Sequence, residues 1–101
     1  MARTRAVATA APEGFGGDLH RCDLIFLKPP LRPAAAARHV RTRPGVDAML
    51  AGPGVLYFSR LVSRITQSMM SSIVASPVYA NVTIRNWRTT TRLLELVEQL
   101  P

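Results

Sequence analysis

An α+β fold, an antiparallel sheet carrying helices, is what the sequence predicts, and three observations support it. Short apolar segments of two-residue period alternate with segments of helical period. A turn-rich "AGPG" joins two of the strand-like segments into a hairpin. The 101 residues amount to one small domain, and 48% hydrophobic against 19% charged residues is a globular composition.

Taken in order, residues 1–20 hold Pro12 and the glycines of "PEGFGG" and read as an N-terminal arm and Gly/Pro loop. Residues 21–101 form the domain proper. "CDLIFL", bounded by "KPP", is a short apolar run that predicts a buried strand. "RPAAAARHVRT" opens with Pro33 near a first helical turn and stops before Pro44, which fits a short helix. "GVDAML" and "GVLYFSR" flank the turn as a hairpin, with Val55, Tyr57 and Ser59 facing one way and Leu56 and Phe58 the other.

The period then changes. Ile65, Met69 and Ile73 recur every four residues beside Thr66, Met70 and Val74, which predicts an amphipathic helix with Ser63 as its N-cap. "VYANVTIR" alternates, with Val78, Ala80, Val82 and Ile84 on one face, and predicts a half-buried strand. Leu93, Leu94, Val97 and Leu100 form one stripe of a C-terminal helix, opposite Arg88, Arg92, Glu95 and Gln99. The order β-α-β-β-α-β-α matches a ferredoxin-like, split β-α-β antiparallel sheet with its helices on one face and an added C-terminal helix.

Composition narrows the function classes. The net charge of +7 invites nucleic acid, yet twelve of the thirteen basic residues are Arg, only Lys28 is Lys, and they are scattered. Weak nucleic-acid binding is therefore a lesser alternative. Residues 65–84 lack charges, but nine of those twenty are Thr, Gln, Ser, Asn or Pro, so no membrane span is expected. The start "MARTRAVATAAP" has too short an apolar region for an export signal. With Cys22 the single cysteine, no internal disulfide forms, and the cytoplasm is the expected compartment.

Several long segments carry a resemblance. "APEGFG", "DLIFLKPPL", "RPGVDAMLAGPGVLYFSRLVSRITQS" and "TIRNWRTTTRLLEL" stand in the order and spacing of the bacterial family known as domain of unknown function sixteen ninety-seven. The likeness runs from Ala11 to Leu100. The family resembles a duplication of two ferredoxin-like halves, and this chain is similar to the second half alone. That implies a truncated member whose Met1 is an internal start. It also implies an exposed surface where the missing half would sit, and hence a homodimer or another protein association as an alternative role. One departure is that "MMSS" stands at Met69–Ser72, where family members carry a basic residue near the place of Met69. The resemblance brings no assigned activity or cofactor.

Candidate chemistry concentrates at two helix starts. Asn86 is placed to cap the last helix, and Arg85, Arg88 and Arg92 surround its first-turn N–H groups, which suits a phosphate or carboxylate. Trp87 reads as a core anchor packed on the strand that ends at Ile84, or else as a stacking platform for a base or sugar. Ser63 and Arg64 give the preceding helix a second start of the same kind, with an ordinary cap as the plainer reading. If both starts lie at one end of the sheet, the two sites merge.

Elsewhere the chemistry is thin. "PEGFGG" and "AGPG" lack the context of a phosphate loop and are turns. His20, Cys22 and the distant His39 fall short of a metal ligand set, and Cys22 reads as a small buried filler. The six acidic residues offer no acid–base pair. The sequence thus leads to a non-catalytic domain with no cofactor and no metal, holding a small anion at its helix starts.

Overall fold

A computed structural model describes residues 2–100. Helix α1 (Ala2–Thr9) leads through a loop to strand β1 (His20–Leu27), then helix α2 (Pro33–Ala37), strand β2 (Asp47–Gly52) and strand β3 (Val55–Leu61). Short 3-10 turns at Val62–Gln67, Met70–Ile73 and Tyr79–Asn81 precede strand β4 (Val82–Asn86) and helix α3 (Trp87–Glu98). The strands form one sheet ordered β2-β3-β1-β4, antiparallel at every neighbour. Among the described residues no helix is long and apolar enough to cross a membrane.

The two inner strands, β1 and β3, are buried on both faces. Cys22–Ile25 and Leu27 of β1 are buried, as are Val55–Phe58 of β3. Because successive side chains point to opposite faces, these buried runs, apolar except for Asp23, feed two separate cores. Ile25, Leu27, Leu56 and Phe58 meet Ala36, Val40, Met70, Ile73 and Val78 on one face. Leu24, Val55 and Tyr57 meet Val7 on the other, with Phe15, Phe26 and Trp87 packed at the margin. The facing expected for Val55 and Tyr57 against Leu56 and Phe58 is the one observed.

Helices on one face alone would leave the second core in water, and the structure departs from that expectation. The N-terminal stretch read as arm and loop instead forms α1 over Ala2–Thr9, where Ala and Arg favour helix. Val7 is completely buried, and the Tyr57 hydroxyl donates to the Val7 carbonyl, so helix and strand are fastened through a buried hydrogen bond.

The amphipathic helix expected from Ser63 to Val74 is not formed. The segment is two 3-10 turns broken at Ser68 and Met69, with a further kink at Arg64, and Leu61 rather than Ser63 stands at the cap position, without a side-chain bond. Side-chain acceptors explain the break, because they take N–H groups that an α-helix would need. Asp47 Oδ2 accepts the Met69 N–H at 2.8 Å and the Arg43 N–H at 2.9 Å, and Ser68 Oγ accepts the Met70 N–H at 3.1 Å. Met70 and Ile73 still reach the first core, but Val74 faces solvent.

The strand expected from Val78 begins four residues later, at Val82. Its neighbour β1 stops at Leu27, paired with Val82, because Pro29 and Pro30 follow and have no N–H to donate. The bond from Lys28 N–H to Asn81 O, 2.8 Å, closes the ladder. Beyond it, Tyr79–Asn81 coil into a 3-10 turn.

Replacing Tyr57 by Phe removes a buried donor and strands the Val7 carbonyl. The expected loss is about 1–3 kcal/mol, read as a lower urea midpoint, with faster amide exchange in α1.

Candidate functional site

Strands β3 and β4 are both antiparallel to β1, so their C-terminal ends lie together at the N-terminal end of β1. The chain leaves β4 directly into α3. Asn86, in extended conformation, accepts the Thr89 N–H on its side-chain oxygen at 3.1 Å and caps the helix as expected. A cleft of about 510 Å³ opens there, lined by Gly16, Asp18, His20, Arg21, Cys22, Val62, Asn86, Trp87, Arg88 and Thr89.

Trp87 is half-buried and serves as one wall of this cleft. Its ring meets Phe15 edge-on, with centroids 5.0 Å apart and planes at 80°, and Phe15 meets Tyr57 in the same manner at 5.3 Å and 77°. This aromatic chain ties the cleft to the second core, a favourable geometry for rings. Trp87 thus packs against a core, as the anchor reading expected, but it is the second core, whereas Ile84, where the expected strand ends, packs on the first core across the sheet. Gly16 allows the close approach. Its φ is +92°, and a Cβ there would overlap the indole, lying 2.7 Å from Cδ1.

The cleft gathers unlike charges. Arg21 and Arg88 supply cations, while the Asp18 carboxylate stands 3.8 Å from Arg88 Nη2 with both groups almost fully exposed, a weak pairing. Cys22 is buried at the floor, where its sulfur accepts the Gly16 N–H at 3.2 Å. Burial pushes its thiol above the ordinary range, outweighing the Gly16 bond, and Asp23 adds to the rise. The thiol form therefore prevails at neutral pH, the opposite of an activated nucleophile. His20 shares the cleft with it, and among the described residues no group of three His, Cys, Asp or Glu side chains is placed to hold a metal.

Of the residues singled out in the sequence, Asn86 and Arg88 meet in the cleft. Arg85 is exposed on β4, in register with Leu24, and does not line it. Arg92 lies a turn further along α3, paired with Glu95 Oε2 at 3.4 Å. Ser63 and Arg64 are exposed and also lie outside the lining. Arg64 bonds Gln67 Oε1 at 2.8 Å and approaches Gly45, just before β2. The two proposed starts thus sit at one end of the sheet, as their merging requires, but only Val62 of the earlier one reaches the cleft. The sequence reading missed Gly16, Asp18, Arg21 and Thr89. Arg21 was findable, since it lies in the first residues of the strand beside which β4 must end.

Comparison with protein-family models, with curated proteins and with solved structures gives no match for this chain.

Gly16→Ala should strain the backbone and displace the indole. The expected outcome is a red shift of Trp87 emission and a lower urea midpoint, by about 1–3 kcal/mol.

Proposed function

We propose that the chain is a non-catalytic, cytoplasmic domain that holds a small anion, a phosphate or carboxylate group, at the start of α3. The observation that carries this reading is the convergence in one cleft of the α3 first turn with Arg21, Arg88 and the open face of Trp87. First-turn N–H groups have no partner within the helix, and the helix dipole favours negative charge beside them. No acidic residue occupies that turn. The two guanidinium groups suit a fork-shaped anion, which would displace the weakly held Asp18 carboxylate.

The same reading places the chain in a ferredoxin-like topology and, through it, with the second half of the family sixteen ninety-seven. Its support is the strand order β2-β3-β1-β4 with antiparallel neighbours, the arrangement a split β-α-β pattern requires. A single cysteine, Cys22, free and buried, suits a reducing compartment.

Titration with inorganic phosphate or pyrophosphate, followed by Trp87 fluorescence, tests the proposal. Saturable binding is expected, weakened by added salt and reduced about tenfold or more in Arg88→Ala and Arg21→Ala, since each removes a charge-assisted contact. No saturable response at millimolar anion, or a response indifferent to both substitutions, would refute it.

A further inference from the structure

Helix α3 has two apolar arcs, and the sheet covers one of them. Thr90 and Leu94 are buried, and Trp87 is half-buried beside the second core. Leu93, Leu96 and Val97, with Leu100 just past the helix cap, face solvent at 54, 45, 38 and 70% exposure. At roughly 100° per residue these four fall within an arc of about 100°. The single stripe expected from the sequence therefore divides: Leu94 packs inward, while Leu93, Val97 and Leu100 stay outside with Leu96. A contiguous apolar face of this kind marks an interaction surface.

The charges on α3 run against its own dipole. Arg88 and Arg92 occupy the N-terminal half and Glu95 and Glu98 the C-terminal half, with no acid in the first turn and no base in the last. Each placement is the unfavourable one for an isolated helix. An antiparallel neighbour of the same charge pattern reverses the relation, because it adds a cation to a C-terminal end that has no base of its own. That end is met only by Arg5 of α1, whose Nε stands 3.2 Å from Glu98 Oε1 in a half-exposed pair that contributes little.

We infer that a second copy of this chain packs its α3 antiparallel against the first. The twofold lies between Leu96 and Val97, sets Leu93 against the partner's Leu100, and carries Arg92 to the C-terminal end of the partner helix. Such a contact is isologous and closed. The Arg92–Glu95 pair within one helix is mostly exposed and contributes little, so Arg92 is free to turn toward the partner. A twelve-residue helix is about 18 Å long, and one such contact falls short of a standard interface, so the dimer is weak and concentration-dependent. The contact is separate from the cleft and does not depend on anion binding there.

Sedimentation velocity over a micromolar-to-millimolar series tests the inference on the full chain. A monomer–dimer equilibrium is expected, with dissociation raised about tenfold or more by Leu96→Glu and by Arg92→Glu. The Arg92→Glu effect should be larger at low salt. Both side chains are exposed, so urea midpoints near that of the parent chain verify that the variants fold. A monomer throughout the series, or a dimer that survives Leu96→Glu, would overturn the inference. A dimer weakened by Leu96→Glu but indifferent to Arg92→Glu would overturn the antiparallel arrangement.

Discussion

Everything in this molecule hangs on β1, an eight-residue strand with hydrogen-bonded partners at both edges and apolar side chains on both faces. A strand so placed needs two coverings. The two-residue period of its pleat sends Ile25 and Leu27 to one core and Leu24 to the other, and β3 repeats the division with Leu56 and Phe58 against Val55 and Tyr57. The first core is closed by α2 and the 3-10 turns. The second is closed by α1 and the loop bearing Phe15. Register is therefore strongly specified, since a slip by one residue would exchange the two cores.

The polar groups at the sheet ends secure this arrangement. Arg60 Nη2 donates to the nearly buried Asp23 at 2.8 Å, joining β3 to β1. Asp47 holds the start of the second 3-10 turn against β2 through the Met69 N–H. From the middle of β3, Tyr57 fastens α1 through the Val7 carbonyl. The cleft follows from the same geometry. The cleft lies where β3 and β4 both end beside the start of β1, so its residues come from distant parts of the chain. Helix α3 begins at its edge and leaves one apolar arc uncovered.

Much of this was legible in the sequence. The hairpin, its facing, the Asn86 cap and the short Ala-rich helix follow from local periodicity and turn chemistry, which tertiary context did not override. The misreadings share one physical cause, competition from partners far along the chain. Ile65, Met69 and Ile73 have helical spacing, but Asp47, 22 residues upstream of Met69, takes the N–H the helix would need. Val78 and Ala80 alternate as a strand would, yet Pro29 and Pro30 deprive them of a neighbour. In α1, "ARTRAVAT" shows little amphipathic pattern, and Val7 is a single apolar contact that only the second core makes meaningful. The cleft was half legible. Asn86 and Arg88 were visible from the helix start, whereas Arg21 and Asp18 required the strand order.

The central claim is that the sheet has two indispensable faces, the second closed by α1. Urea unfolding of a chain beginning at Ala11, followed by Trp87 fluorescence beside the full chain, tests it most directly. Losing the burial of Val7 and its bond to Tyr57 should cost about 2–4 kcal/mol, with a lower midpoint and a redder native emission. An unchanged midpoint and emission would contradict the account, because α1 would then be an ornament on a sheet that one face sustains.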